Sequence, residues 1–140
     1  MGIVWGPDLQ LGHRVIDKQH EELVALLNDL DDVIAGRIGS LTDIMRRLEA
    51  YVVFHFGTEE ALMRSLAETV PYIEHCKEHR QFVTQLGGLQ DMDTRKPAEI
   101  AVGLADYLSQ WLREHILVSD RRLVQALNQQ AVTDGRLLTR

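Results

Sequence analysis

The chain carries six histidines, and five of them interrupt apolar stripes at helical spacing. His55 follows Tyr51 by four residues and precedes Glu59 by four, before Leu62 resumes the stripe. His75 and His79 stand four apart and lead on to Phe82 and Leu86. His115 follows Trp111 by four, and His20 precedes Leu23 by three and Leu27 by seven. Residues three or four apart share a helix face, so imidazoles from four separate segments aim at one interior.

A single histidine on an apolar face is ordinarily a hydrogen-bonded core residue. Five of them beside the carboxylate of Glu59 are a different matter, because burying that many polar groups is costly unless they are paired or bind metal. The donor set exceeds the four ligands of a zinc site, and calcium and magnesium prefer oxygen. Nitrogen-rich ligation with carboxylates suits two iron ions, or manganese. The residues three before these histidines are Asp17, Val52, Tyr72, Cys76 and Leu112, so the Glu-x-x-His pattern of ferritin-like di-iron proteins is missing. His-Glu-x-x-His, the common metalloprotease pattern, is missing too.

The elements that must position these side chains all read as helices. Periodic apolar residues predict four, over 18–36, 41–66, 71–88 and 97–117, the last continuing to about 131. Their stripes comprise Leu23, Leu27, Leu30 and Ile34; Ile44, Leu48, Tyr51, Val52, Leu62 and Leu66; Phe82, Leu86 and Leu89; and Ile100, Leu104, Leu108, Trp111 and Leu112. Pro71 and Pro97 fall where a first helical residue would stand. Ser40-Leu41-Thr42-Asp43 resembles a capping box, set off from the preceding helix by Gly36 and Gly39. Residues 1–17 read as an N-terminal arm, and 132–140 as a tail with a turn at Thr133-Asp134-Gly135-Arg136. Short connections imply antiparallel neighbours, hence an all-α, up-down-up-down four-helix bundle in a single domain spanning 1–140.

Composition sets the surroundings. A chain of 140 residues, 45% hydrophobic and 26% charged, suits one soluble domain. No apolar run approaches the ~20 residues of a membrane span, and the N-terminus lacks the pattern of a secretory signal. The single cysteine, Cys76, excludes an intrachain disulfide and fits a reducing, cytoplasmic setting. A net charge of −6 without a basic cluster argues against nucleic acid as a partner.

In their order along the chain, these motifs resemble the hemerythrin family, specifically its bacterial single-domain members. The carriers are Ile16-Asp17-Lys18-Gln19-His20, then His55-Phe56-Gly57-Thr58-Glu59-Glu60 with Met63, then His75-Cys76-Lys77-Glu78-His79, and finally Trp111-Leu112-Arg113-Glu114-His115-Ile116 with Asp120. The resemblance runs from Trp5 to about residue 125.

It implies a division of labour. His75, His79 and His115 would bind one non-haem iron, and His20 and His55 the other, which keeps one open position. Glu59 and Asp120 would bridge the pair beside an oxo or hydroxo link. Dioxygen would bind reversibly at the open position, in an apolar pocket drawn from Leu23, Val24, Phe56, Trp111, Leu112 and Ile116. Spacing alone does not select Asp120, which lies five residues past His115 and so about 140° around a regular helix. The resemblance therefore predicts a π-bulge or break near Val118-Ser119.

Three residues remain. His13 is expected at the surface or behind a ligand, Cys76 in a structural role facing away from the ligand face, and Asp17 at the cap of the first helix. The function implied is oxygen binding for transport, storage or scavenging, by a monomer that is not an enzyme and has no nucleic-acid or membrane partner. An oxygen or redox sensor is the first alternative. A peroxidase or nitric-oxide-handling enzyme is the second, and would want a polar proton donor near the open site.

Overall fold

A computed structural model describes residues 3–36, 39–66, 71–90 and 97–138. The described chain is all-helical: α1 (Arg14–Ile34), α2 (Leu41–Arg64), α3 (Tyr72–Gln90), α4 (Pro97–His115) and α5 (Arg121–Leu138). A π turn, Ile116–Asp120, joins α4 to α5 without leaving the helical region of the backbone. The fourth rod of the bundle is therefore α4, the π turn and α5 in succession, and the architecture is the expected four-helix bundle. No described helix is long and apolar enough to cross a membrane.

Local chemistry sets the helix starts. Ser40 caps α2 by accepting from the Asp43 N–H, and Gly36 and Gly39 take positive φ of 73° and 77° in the preceding turn, where a Cβ would be strained. The first helix starts at Arg14, four residues earlier than the apolar pattern suggests, because His13 is its N-cap and its Nδ1 accepts from the Ile16 N–H at 3.2 Å. Asp17 reaches back from the first turn to accept from the N–H groups of Leu11, Gly12 and His13. It thus caps the backbone ahead of the helix while His13 caps the helix itself.

Two further boundaries differ from the periodic reading. Pro71 stands one residue before α3, its carbonyl accepting from the His75 N–H at 2.9 Å, whereas Pro97 does open α4. The turn expected at Thr133-Asp134-Gly135-Arg136 is helical, and α5 runs to Leu138. A lone glycine in this stretch costs only about 1 kcal/mol relative to alanine, too little to stop a helix already under way.

The main core joins all four rods and also the arm. Leu23, Leu27, Leu30, Ile44, Leu48, Val52, Phe82, Leu86, Leu108 and Leu112 are buried in it together with Ile3 and Leu9. Leu9, fully buried at the end of a short 3-10 turn (Pro7–Leu9), contributes about 2 kcal/mol by the usual value for a buried leucine. The arm is therefore part of the fold. A second apolar cluster of Ile16, Met63, Cys76, Leu123 and Val124 seats α5. Ile34, Tyr51, Leu62, Leu66 and Trp111 are half-buried at the margins. The side chains of Leu89, Ile100 and Leu104 lie outside the described residues.

Candidate metal centre

The five in-register histidines, Glu59 and Asp120 meet at the centre of the bundle. All seven are buried, and His20, His55, Glu59 and Asp120 have no exposed surface. His20 comes from α1, His55 and Glu59 from α2, His75 and His79 from α3, His115 from the end of α4, and Asp120 from the π turn. The π turn lies where the resemblance called for one. Its extra residue per turn carries Asp120 onto the face of His115, where a regular helix would leave it well to the side.

Each imidazole turns Nε2 inward, and the inward atoms fall into two groups. In the first, His75, His79 and His115 converge with Glu59 Oε1 and Asp120 Oδ1. The Nε2 atoms of His75 and His79 each lie 3.1 Å from that of His115. Glu59 Oε1 is 3.0 Å from His79 Nε2, and Asp120 Oδ1 is 3.0 Å from His75 Nε2 and 3.1 Å from His115 Nε2. Two ligands at right angles on bonds of about 2.1 Å would stand about 3 Å apart, so these five atoms could hold one six-coordinate cation, with Glu59 Oε1 farther from His75 Nε2 (3.6 Å) and His115 Nε2 (3.9 Å).

The second group holds His20, His55, Glu59 and Asp120. Here the other carboxylate oxygens serve: Asp120 Oδ2 is 2.8 Å from His20 Nε2, and Glu59 Oε2 is 3.7 Å from His20 Nε2 and 3.5 Å from His55 Nε2. Each carboxylate thus faces one group with one oxygen and the other group with the second. The first group offers five protein donors and the second four.

Polar satisfaction tests whether a cation fits. The inward nitrogens of His20 and His55, both oxygens of Glu59 and Asp120 Oδ2 are buried without a well-directed hydrogen bond, although His20 Nε2 stands 2.8 Å from Asp120 Oδ2 and His79 Nε2 3.0 Å from Glu59 Oε1. Leaving that many polar atoms unmet costs several kcal/mol in total. They point at two common centres, which is the arrangement that metal coordination satisfies. Nitrogen and carboxylate donors together suit a first-row transition ion.

The electrostatics agree. Burial opposes a proton on His20 and on His75, yet the carboxylates of Asp120 and Glu59 outweigh it and raise both to about 9. His115 rises well above its usual value through Asp120, Glu59 and Glu78, again against burial. Burial wins at His55, lowering it to about 4. Despite complete burial, the surrounding imidazoles hold Asp120 and Glu59 below the usual carboxylate range. Two buried anions make the site a sink for positive charge.

A sequence model of the hemerythrin HHE cation-binding domain matches residues 11–127. The chain belongs to the hemerythrin family. It is 32% identical over 128 residues to a bacteriohemerythrin of Pseudomonas aeruginosa, covering 89% of this chain and 81% of the relative. A bacteriohemerythrin of Clostridium acetobutylicum is 27% identical, over 86% of this chain and 98% of its own length. A hemerythrin-like protein of Naegleria gruberi is 32% identical, over 84% and 87%.

In this hemerythrin-family chain the aromatic residues cover the three-histidine side. Phe56 stacks on His79 at 3.9 Å between ring centroids, and Trp111 on His115 at 4.5 Å. Phe82 touches both, at 5.7 Å from Phe56 and 4.4 Å from Trp111. Leu23, Val24, Leu112 and Ile116 are buried in the same apolar cluster as Phe56. Leu23 and Val24 lie one turn beyond His20 on α1.

The outward ring nitrogens have partners that helical spacing does not mark. His55 Nδ1 faces Gln19, His79 Nδ1 faces Glu60, and His115 Nδ1 faces Glu78, which also accepts from Ser119. Each lies beside one of the seven clustered residues in the chain: Gln19 before His20, Glu60 after Glu59, Glu78 before His79, and Ser119 before Asp120. That adjacency is the signal that would have found them.

Proposed function

We propose that this chain binds dioxygen reversibly at a pair of non-haem iron ions, as a cytoplasmic monomer that carries or stores oxygen and does not transform it. The observation that carries the reading is the unequal donor count across two shared carboxylates: five protein donors on one side, four on the other. Two ferrous ions held there would supply one electron each to a dioxygen molecule and recover them on its release.

The protein's own residues favour reversibility. His20 and His55 are fully buried, so bulk water is kept from the less crowded side. The core residues Leu23, Val24, Leu112 and Ile116 have no proton to give, while Phe56 and Trp111 stack on His79 and His115, on the three-histidine side, and hold those rings in place. These side chains would offer no proton to help release reduced oxygen. This favours a carrier over a peroxidase. The bacteriohemerythrin name of the relatives supports the same reading.

The test is optical spectroscopy on iron-loaded protein with iron counted per chain. A charge-transfer band should appear in air and disappear on degassing through repeated cycles, at two irons per chain. Stoichiometric zinc in protein purified from its native host, or one-way oxidation with release of peroxide, would sink the reading.

A further inference from the structure

The ligand histidines do not share one kind of outer partner. On the three-histidine side, His79 Nδ1 meets Glu60 Oε2 at 2.9 Å and His115 Nδ1 meets Glu78 Oε2 at 2.7 Å. Ser119 donates to the same Glu78 oxygen at 2.7 Å and so fixes that carboxylate's orientation. On the two-histidine side, His55 Nδ1 meets the neutral amide oxygen of Gln19 at 2.7 Å. The other end of that amide donates to Thr58 Oγ at 3.3 Å, and Thr58 donates to the Phe54 carbonyl at 3.0 Å, which settles which end of the amide faces the ring. His20 Nδ1 is buried with no hydrogen-bond partner.

This difference has a chemical consequence. A carboxylate only accepts, so it holds the imidazole proton at Nδ1 and draws it outward, which makes the inward Nε2 a stronger donor to a cation. A neutral amide does so less, and a missing partner not at all. Burial explains the choice of partner. The side chains of Glu60 and Glu78 are 28% and 42% exposed, so water helps to carry their charge. Gln19 is 7% exposed, where a carboxylate would be costly to ionise.

We propose that Glu60 and Glu78 are positioning residues that make the three-histidine cluster the tighter of the two cation sites. Gln19, being neutral, gives the two-histidine cluster no comparable help. The inference rests on the reading above that each cluster seats one ion, and it sets an order: the ion held by His20 and His55 leaves first.

The experiment loads the 140-residue chain with Co2+ and challenges it with increasing chelator. Bound cobalt is counted, and the paramagnetically shifted imidazole resonances report which cluster has emptied. Wild-type protein should release cobalt in two steps, the two-histidine ion first. E60Q and E78Q should each weaken the second step by roughly 10- to 100-fold while moving the first much less. E78D, which keeps the charge, should recover most of the loss. Where E78Q does not fold by circular dichroism, E60Q and S119A carry the same comparison, S119A with a smaller effect. An unchanged second step, or both steps moving together, would overturn the proposal. Release of a single ion per wild-type chain would instead overturn the two-ion reading, and the proposal with it.

Discussion

Glu59 and Asp120 divide their oxygens between the two histidine clusters in the same way: Oε1 and Oδ1 face His75, His79 and His115, while Oε2 and Oδ2 face His20 and His55. The two residues come from α2 and from the π turn, so the shared edge of the clusters ties opposite parts of the bundle together. Losing either carboxylate removes one donor from both sides at once.

Asp120→Ala should therefore lower metal content from two ions per chain to one or fewer, with the two-histidine side, already short of donors, failing first. Metal analysis after desalting checks this. Two ions per chain in the variant would sink the bridging role.

The π turn carries a separate expectation. Val118 is exposed at 58%, so deleting it removes no core packing of its own. The deletion converts the π turn to a regular helix and leaves Asp120 four residues after His115, about 40° round the axis and so still on the same face. Helix content and two-ion binding should both be nearly retained, as circular dichroism and metal counting on the same sample would show, because the turn serves to bring a carboxylate five residues on to the face that a spacing of four reaches unaided. Loss of an ion with helix content intact would show that the turn sets more of the placement of Asp120 than its direction.

The different fates of these residues show what a sequence can and cannot reveal. His20, His55, Glu59, His75, His79 and His115 were legible because each obeys the three- or four-residue spacing of a regular helix. Asp120 breaks that spacing, so only the resemblance singled it out. Gln19, Glu60 and Glu78 lie on the edges of the apolar stripes, where polar residues are ordinary, and nothing in their type marks them as partners of a ring nitrogen. The start of α1 lies ahead of the apolar pattern for a related reason: His13 is an unusual cap, and its Nδ1 accepts from the Ile16 N–H only in the folded chain. The continuation of α5 past Gly135 depends on a helix already in progress, which a lone glycine does not reveal.

Metal-free protein should show a stability maximum near pH 6.5. His20 and His75 have folded values of about 9 against 6.5 unfolded, so their contribution is complete below about 6.5 and is lost as pH rises through about 9. His55, lowered to about 4, acts in the opposite sense and weakens the fold as pH falls from 6.5 toward 4. Glu59 and Asp120 contribute stability above the usual carboxylate range, lost as pH falls through their depressed folded values. Thermal melts from pH 4 to 10 on chelator-stripped protein test this, and a melting temperature that climbs steadily up to pH 10 would contradict it.

Phe56→Ala should cost about 3–5 kcal/mol in denaturant unfolding, as expected for emptying a buried aromatic position. Phe56 is 4% exposed and packs on His79, Phe82 and Trp111 at once. Phe56→Leu, which keeps the volume better, should cost less than half of that. A loss below about 1 kcal/mol for the alanine variant would show that its neighbours close the cavity.

Cys76 has a use that its chemistry alone would not suggest. It is the chain's sole thiol, 4% exposed, adjacent to His75 and enclosed with Ile16, Met63, Leu123 and Val124. Burial pushes the thiol's pKa up, so it stays in its unreactive form while enclosed. An alkylating reagent can then label the protein only during excursions in which α5 lifts from its seat. The labelling rate becomes a clock for those openings, and with metal added or withheld it times how long the centre keeps the last helix in place.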